Sequence, residues 1–293
     1  MFQSKVFFSN SDTLSKIGKN HRMIELSNSF GTVKLTDYGA HVLSYIPQGS
    51  DEVLWLSPYT KTGLGDPIRG GIPVCCPWFG PSRKDPSWPL HGFLRTRNWD
   101  IERRDESIIF LATEVKGDDN PYGYGSFLAR CTVKLGRALE ISLEIENRSH
   151  DPMKLEAGLH SYFLASPLDA DMSDFSGLLC YDKTDGFKPG FGRKGFHFSA
   201  DREIADFYMD TPSQSYIIDK ARGRKIDISQ AGFRSTVLWN PGRAAGLANQ
   251  EIREQWDRFV CLESASCLDN KIEIEGNGRF QALVKIQTEA YHG

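Results

Sequence analysis

The segment 139–147, LEISLEIEN, alternates apolar and polar side chains, and this pattern decides the fold class. A period of two places Leu139, Ile141, Leu143 and Ile145 on one face of a β-strand and the acidic residues on the other. One face then packs on a core while the other faces water, as is typical of an antiparallel sheet. We interpret the acidic run as a solvated face rather than as a metal site.

Short strand-like runs extend from this segment in both directions and are separated by Gly, Pro, Asp and Ser clusters. They include MIELS, TVKLT, HVLSYIP and SFLARCTVKL before it, and SYIIDK, KIDIS, STVLWN, RFVCLES and FQALVKIQTEA after it. Only residues 244–259 have a helical pattern, and no βαβ alternation is present. We therefore predict an all-β protein with one large antiparallel β-sandwich domain over residues 1–293, in which residues 1–20 form a polar lead-in arm.

Composition excludes several classes of function. A net charge of −3 offers no general affinity for nucleic acid or for an anionic membrane, so an anion site must come from local arginines. The six cysteines form no CxxC pair, which predicts reduced, buried thiols and no metal site. No apolar run is long enough for a signal or a membrane span, so we expect a cytoplasmic protein. The GxGxxG at 190–195 lacks a flanking strand and helix and is predicted to be a loop without a cofactor.

The segment 69–99, RGGIPVCCPWFGPSRKDPSWPLHGFLRTRNW, interrupts the strand pattern. It contains three Trp and five Pro together with glycines, arginines, a lysine and a histidine. Proline removes backbone donors and glycine loosens the backbone, so we expect a long loop rather than a helix or a central strand. Flat rings and arginine forks suit a polyhydroxylated, anionic small molecule. A structural loop that seals a sheet edge has a similar composition, so composition alone leaves both interpretations open.

The order of residues in RGGIP, CCPWFGP and HGFLRTRNW resembles the hexose-6-phosphate mutarotases, or glucose-6-phosphate 1-epimerases, a branch of the aldose 1-epimerase superfamily. The resemblance extends over nearly the whole chain. It implies a galactose mutarotase-like supersandwich whose two large sheets place a sugar site on a concave face. It also implies an isomerase that interconverts the α and β anomers of a hexose 6-phosphate. We expect a monomer that needs neither metal nor cofactor and has a sugar phosphate as its partner.

Two residues match the acid and the base of the resembling family. His160 ends an apolar strand in EAGLHSYFLAS, where a lone histidine is more often structural. Glu263 lies inside the apolar RFVCLESA, where a carboxylate must be paired, hydrogen-bonded or shifted in pKa. A structural salt bridge is equally compatible with the residues alone. The resemblance implies that His160 is the general acid and Glu263 the general base.

Four further residues match substrate-binding positions of the family. The resemblance implies that Arg69 and Arg95 hold the phosphate, that His91 lines the sugar site and that Asp206 contacts sugar hydroxyls. Gly70 follows Arg69, and the lack of a side chain there would let a ligand approach the backbone. From the residues alone, arginines that clamp loop carbonyls are an open alternative.

The chemistry of an aldose explains why an acid and a base are needed, since the C1 hydroxyl loses a proton while the ring oxygen gains one. Such a pair predicts a bell-shaped pH profile that rises as Glu263 ionises and falls as His160 loses its proton. Two alternatives remain open. A glycoside hydrolase normally uses two carboxylates, of which only one good candidate is present. A carbohydrate-binding module would need the aromatic residues and arginines but no acid and base.

Overall fold

A computed structural model describes residues 10–292, apart from the side chain of Asp119. This part of the chain has two short α-helices, α1 (Asn10–Ile17) and α2 (Gly242–Ala248). Single 3₁₀ turns occur at Leu94–Thr96, Gly117–Asp119, Lys183–Asp185, Lys220–Arg222, Arg253–Asp257 and Leu268–Asn270. The strands up to residue 163 are β1 (Met23–Asn28), β2 (Gly31–Thr36), β3 (His41–Pro47), β4 (Val74–Cys75), β5 (Asp100–Arg104), β6 (Ile108–Val115), β7 (Phe127–Leu135), β8 (Leu139–Asn147), β9 (Met153–Leu155), β10 (Ala157–Leu159) and β11 (Tyr162–Phe163). The later strands are β12 (Ala170–Met172), β13 (Leu179–Asp182), β14 (Lys188–Phe191), β15 (Ile204–Met209), β16 (Gln214–Asp219), β17 (Arg224–Ala231), β18 (Ser235–Asn240), β19 (Val260–Ser266), β20 (Ile272–Ile274) and β21 (Arg279–Ala290).

Two eight-stranded antiparallel sheets dominate the described part of the chain. The sheet that we call the front sheet has the order β14-β13-β15-β18-β19-β10-β4, with β11 also paired to β19. The back sheet has the order β12-β16-β17-β21-β8-β7-β6-β5. A three-stranded sheet, β1-β2-β3, and the pair β9-β20 complete the architecture. The prediction of an all-β antiparallel sandwich is confirmed.

The back sheet has one buried and one solvent-exposed face, as the alternation of apolar and polar residues in β8 predicts. Leu143 of β8 is fully buried and lies opposite Cys131 of β7 and Ala282 of β21. Glu144 points to the other face and pairs with Arg130 of β7 at 2.8 Å. The acidic residues of this strand therefore lie on an outer face, where arginines and lysines neutralise them.

The front sheet differs because its central strand β19 is buried on both faces. Val260 and Leu262 belong to the large apolar core that also contains residues of the back sheet such as Leu143. The intervening residues Cys261 and Glu263 therefore point to the outer face of the front sheet. That outer face is itself covered by aromatic side chains and loops, which explains why it is buried.

The predicted lead-in arm is in part a helix. Within α1, Leu14 and Ile17 are three residues apart, a helical spacing, and both pack into a small cluster with Tyr38 and Leu43. Residues 1–9 of the predicted arm lie outside the described part of the chain. The helical pattern at 244–259 yields α2 and the 3₁₀ turn Arg253–Asp257. No helix of residues 10–292 is long and apolar enough to cross a membrane.

The segment 69–99 is mainly loop, as predicted, and it lies against the edge of the front sheet. It contributes only the two-residue edge strand β4 and one 3₁₀ turn. Gly70 has a φ of +106°, and a Cβ there would lie 2.6 Å from the Trp55 carbonyl oxygen. The structure therefore corrects the expectation of a ligand beside Gly70, since the close approach is made by the protein's own backbone. All six cysteines are buried and unpaired.

Candidate active site

Glu263 occupies the middle of β19 and faces outward from the front sheet. It lies opposite Val237 of β18 and is only 1% exposed. One of its carboxylate oxygens, Oε2, makes no hydrogen bond within the described residues. A buried carboxylate without a partner is costly to keep, so its presence calls for an explanation beyond folding.

His160 is placed beside Glu263 by a break in strand pairing. Leu159 of β10 lies opposite Ser264, and Tyr162 of β11 lies opposite Cys261, which leaves His160 across from Glu263. The imidazole stacks on the Tyr162 ring at 4.6 Å with an interplanar angle of 7°. Its backbone N–H donates to the Pro73 carbonyl at 3.1 Å, which ties it to the segment 69–99.

The two side chains form what we call the His–Glu pair, His160 and Glu263. Nδ1 of His160 lies 3.4 Å from Oε2 of Glu263, and neither atom has a hydrogen-bond partner within residues 10–292. Burial, together with Arg69 and Arg95 nearby, lowers the pKa of His160 well below its usual value. Burial raises the pKa of Glu263 well above its usual value. Both shifts oppose an ion pair and favour a neutral imidazole beside a carboxyl group whose proton the two side chains can share.

His91 lies next to the pair on the loop 69–99. The His91 and His160 rings are 4.8 Å apart, nearly edge to face. Nδ1 of His91 accepts the Gly80 N–H at 3.2 Å, and its backbone N–H donates to the Gly80 carbonyl at 2.8 Å. Burial lowers the pKa of His91 well below its usual value. The ring is therefore neutral with its proton on Nε2, which makes Nε2–H a hydrogen-bond donor.

Arg69 borders the same cavity, where it is held by two side chains. Its Nη1 donates to the Tyr162 hydroxyl at 3.1 Å, and its Nη2 lies 3.4 Å from Oε2 of Glu251. Attraction to Tyr162 and Glu251 raises its pKa despite burial. Its Nε has no hydrogen-bond partner in the described residues. Arg69 thus presents a fixed positive charge with donor capacity to spare.

Arg95 does not join the cavity wall. It is 8% exposed, and its Nη2 donates to the Leu90 carbonyl at 2.7 Å. Burial lowers its pKa. The geometry is that of an arginine that clamps a loop carbonyl, which was the open alternative from the residues alone. Arg95 still acts on the site at a distance, because its charge lowers the pKa of His160.

Asp206 is also placed away from the other candidates. Its neighbours Ala205 and Phe207 on β15 line the cavity, so alternation turns Asp206 to the opposite face of the front sheet. There its carboxylate accepts from the Tyr208 hydroxyl at 3.3 Å. The structure therefore does not bring Asp206 together with the His–Glu pair, and the expectation of a sugar contact has no support from its position.

Lys183, Glu203 and Trp239 also line the cavity, and they were not recognised in the sequence. Lys183 follows β13 and lies 3.7 Å from Glu203, which also accepts the Trp239 Nε1–H at 2.8 Å. Trp239 and Val237 are two positions apart on β18, so their side chains point to the same outer face of the front sheet. The sequence could place Trp239 in the cavity only if Glu263 were already known to face that side. Lys183 lies in an ordinary polar turn, and nothing in its local sequence marks it.

These residues enclose one cavity of about 240 Å³ on the outer face of the front sheet. Its lining includes four of the six sequence candidates, Arg69, His91, His160 and Glu263, as well as Lys183. Phe79, Phe207 and Trp239 supply apolar walls. A cavity of this kind suits one small molecule, with flat rings for its apolar faces and polar groups that fix its orientation.

The His–Glu pair and a neighbouring thiol also have the donor atoms of a metal site, because ligating atoms of His160, Cys261 and Glu263 all lie within 4.8 Å of one another. Burial raises the pKa of the Cys261 thiol well above its usual value. The thiol is therefore protonated in the free protein. The sequence prediction of no metal site did not anticipate this cluster, because residues 160 and 261 are far apart in the chain.

Comparison with known proteins places this geometry in a family. The aldose 1-epimerase family profile matches residues 22–286. A Salmonella typhimurium protein named "Putative glucose-6-phosphate 1-epimerase" is 32% identical over 231 residues, which cover 77% of this chain and 76% of that protein. An Escherichia coli protein of the same name is 31% identical over 233 residues, with 78% and 77% covered.

Solved structures agree with the sequence comparison. The crystal structure of a "putative mutarotase" from Salmonella typhimurium superposes with a TM-score of 0.82 at 27% identity, covering 93% of this chain and 92% of that one. The crystal structure of a "Putative aldose 1-epimerase" from Escherichia coli K12 shares the fold, with a TM-score of 0.75 at 13% identity, covering 92% of this chain and 100% of that one. The chain belongs to the aldose 1-epimerase family.

Proposed function

We propose that this protein is a mutarotase that interconverts the α and β anomers of a hexose 6-phosphate, with His160 and Glu263 as its catalytic residues. The observation that carries the proposal is the His–Glu pair, whose Nδ1 and Oε2 have no other partner in residues 10–292. Both residues line a cavity that also contains two cationic side chains. The names of the curated relatives support glucose 6-phosphate as the hexose phosphate to test first.

The reaction needs one proton to be removed and one to be delivered. Transfer of the shared proton from Glu263 to His160 creates a carboxylate and an imidazolium without changing the charge of the pair. Glu263 then takes the proton of the C1 hydroxyl, the C1–O5 bond breaks as the C1 carbonyl forms, and His160 protonates O5. Rotation about C1–C2 and the reverse proton transfers close the ring on the other face. General acid–base catalysis of this kind contributes about 10²–10⁴-fold.

The phosphate is held by Arg69 and Lys183 in this proposal. Both line the cavity, and both charges contribute to the low pKa of His160, so each lies within electrostatic reach of the pair. Arg69 brings the charge of its guanidinium to the cavity wall, and Lys183 can exchange its contact with Glu203 for the phosphate. Charge-assisted hydrogen bonds of this kind contribute about 1.5–3 kcal/mol each. His91 donates from Nε2 to a sugar oxygen, and Arg95 supports the loop that carries His91.

Exchange NMR on paired aldoses tests the proposal. The α and β signals of glucose 6-phosphate and of free glucose are followed with and without the protein. We expect the protein to accelerate interconversion, and to do so more strongly for the phosphorylated sugar. Binding without faster exchange would instead support a carbohydrate-binding protein. Hydrolysis of a glycoside without exchange would support a glycoside-processing enzyme.

We also propose that the protein works as a monomer in the cytoplasm with a sugar phosphate as its partner. Six buried, unpaired cysteines fit a reducing compartment. The net charge of −3 supports neither nucleic acid nor anionic membrane as a partner. Sedimentation of the purified protein tests the monomer, and a stable dimer across a range of concentrations would contradict it.

A further inference from the structure

The outer face of the front sheet brings together three metal-ligating side chains, of which mutarotation uses only two. A ring nitrogen of His160, the Sγ of Cys261 and a carboxylate oxygen of Glu263 lie within 4.8 Å of one another. All three residues are buried, at 5%, 0% and 1% exposure. Cys261 and Glu263 are two positions apart on β19, so the strand itself fixes their side chains on one face.

A second observation points independently to a ligand at this place. His160 Nδ1 and Glu263 Oε2 are buried side-chain atoms without a hydrogen-bond partner in the described chain, and they lie 3.4 Å apart. Buried polar atoms in native proteins are normally satisfied, so two neighbouring exceptions require a reason. A cation bound between them would satisfy both at once.

We propose that His160, Cys261 and Glu263 form an inhibitory site for a transition-metal dication such as Zn²⁺. Catalytic-type zinc sites have three protein ligands drawn from nitrogen, sulfur and oxygen donors, with one coordination position left open. Here the open position is the cavity side, because His160 and Glu263 line the cavity. Mg²⁺ and Ca²⁺ prefer oxygen ligands, so the thiol selects against them.

Charge balance permits this site even though cations lie nearby. The ligands of a bound dication are the thiolate and the carboxylate, whose two negative charges balance its two positive charges. The bound metal therefore leaves no excess positive charge beside Arg69 and Lys183. The ion enters through the cavity, past His160 and Glu263, because Cys261 itself is fully buried.

Metal binding at this site blocks the reaction, because the ion occupies the Nδ1 lone pair of His160 and the carboxylate of Glu263. Neither group can then move a proton, and the sugar must compete with the metal for the cavity. The inhibitory effect rests on the proposed mutarotase function. The binding of the metal does not, and the two can be measured separately.

Anomer exchange in the presence of added metal tests inhibition. Zn²⁺ should slow the wild-type protein and EDTA should reverse the effect, whereas Mg²⁺ should do nothing. Cys261→Ser should stay active and require more than about tenfold more Zn²⁺ for the same inhibition, since one of three ligands is lost. Cys267→Ser is the matched control, because Cys267 is also buried but lies outside the cluster. Equal Zn²⁺ sensitivity of wild type and Cys261→Ser would overturn the proposal.

Cobalt spectroscopy tests the metal site without using activity. Co²⁺ added to the wild-type chain and to Cys267→Ser should give a thiolate-to-metal charge-transfer band and the intense visible bands of a tetrahedral site. Both should be lost in Cys261→Ser, and also in Glu263→Gln, which keeps the test decisive if the cysteine variant fails to fold. If the protein accelerates anomer exchange but shows no thiolate-to-metal band with Co²⁺, the metal site is wrong and the mutarotase function stands. If the band is present but anomer exchange is not accelerated, the mutarotase function is wrong and the metal site stands.

Discussion

Glu146 and Glu263 are both carboxylates on the outer face of a central strand, but their surroundings differ in charge and in hydrogen bonding. Glu146 of β8 in the back sheet lies 3.1 Å from Arg148, 3.2 Å from Arg130 and 3.5 Å from Arg279. Glu263 of β19 in the front sheet forms no ion pair with any arginine or lysine among the described residues, and its Oε2 makes no hydrogen bond there. Burial also raises the pKa of Glu263 well above its usual value.

The difference separates a carboxylate that supports the fold from one that is available for chemistry. Three arginines within 3.5 Å hold the Glu146 carboxylate in ion pairs on the outer face of the back sheet. Glu263 lies beside an imidazole whose pKa is shifted in the opposite direction, and the proposed mechanism passes one proton between the two side chains. Strongly perturbed, buried groups in a cavity are frequent in active sites. The two glutamates therefore give matched variants for testing the account.

The largest expected effect is on activity. Glu263→Gln should lower the rate of anomer exchange by at least about 10²-fold, because the amide cannot accept the C1 hydroxyl proton. Glu146→Gln should leave the rate unchanged, since this residue lies on the other sheet. Exchange NMR on a hexose 6-phosphate measures both. A similar loss in the two variants would mean that the contrast concerns folding and not catalysis.

The pH profile sharpens the contrast further. Because the pKa of His160 is lowered and that of Glu263 is raised, the form with a neutral imidazole and a neutral carboxyl group persists over the pH range between the two pKa values. kcat/KM should therefore fall on the acid side as His160 gains a second proton, and on the alkaline side as Glu263 loses the shared one. This reverses the assignment expected from ordinary pKa values. Glu263→Gln should abolish the alkaline limb in its residual activity, and an unchanged limb would contradict the assignment.

Arg69 and Arg95 provide a second pair with opposite expected behaviour. Arg69→Ala should raise KM for a hexose 6-phosphate by about 10–100-fold and much less for the free hexose, because a charge-assisted bond to phosphate is lost. Arg95→Ala should reduce activity on both sugars alike, since Arg95 holds the Leu90 carbonyl. Steady-state kinetics on the paired sugars decide between them. If Arg95→Ala lost activity on the hexose 6-phosphate but not on the free hexose, Arg95 would be a phosphate-binding residue after all.

The smallest effect is on stability, and its sign differs between the two glutamates. Because the pKa of Glu263 is raised, the folded chain keeps the carboxyl proton at pH values where the unfolded chain has already released it. The free energy of unfolding therefore falls as pH rises from the ordinary pKa of a carboxyl group to the raised pKa of Glu263. Glu263→Gln should therefore stabilise the protein near neutral pH, because the amide stays neutral in the unfolded chain as well. Glu146→Gln should destabilise it by up to about 1 kcal/mol. Urea unfolding at neutral and acid pH measures both, and a destabilised Glu263→Gln would argue against the raised pKa.

The back sheet could be predicted from the sequence because its strands expose one face to water. In β8 the alternation of Leu143 and Glu144 gives both the strand and the direction of each face. The front sheet is harder, since β19 is buried on both sides and its alternation carries no polarity signal. Asp206 of β15 was expected in the site because of the resemblance to the family, whereas the structure places its neighbours Ala205 and Phe207 in the cavity wall.

The identity of the pair came from a resemblance of motifs, whereas its chemical state required the structure. Only the break between β10 and β11 brings His160 opposite Glu263. The absence of other partners for Nδ1 and Oε2 in the described residues cannot be read from EAGLHSYFLAS or RFVCLESA. Lys183 lies in a polar turn with no local signal, and it reaches the cavity only through the pairing of β13 with β15.

The central claim is that His160 and Glu263 act as one unit, and a double substitution tests it most directly. Exchange NMR on a hexose 6-phosphate would compare wild type, His160→Ala, Glu263→Gln and the variant that carries both changes. We predict that each single change costs at least about 10²-fold and that the double change costs little more than either, because the reaction needs both groups in one step. A double variant that falls by the full product of the two single losses would show that the residues act independently, and it would contradict the account.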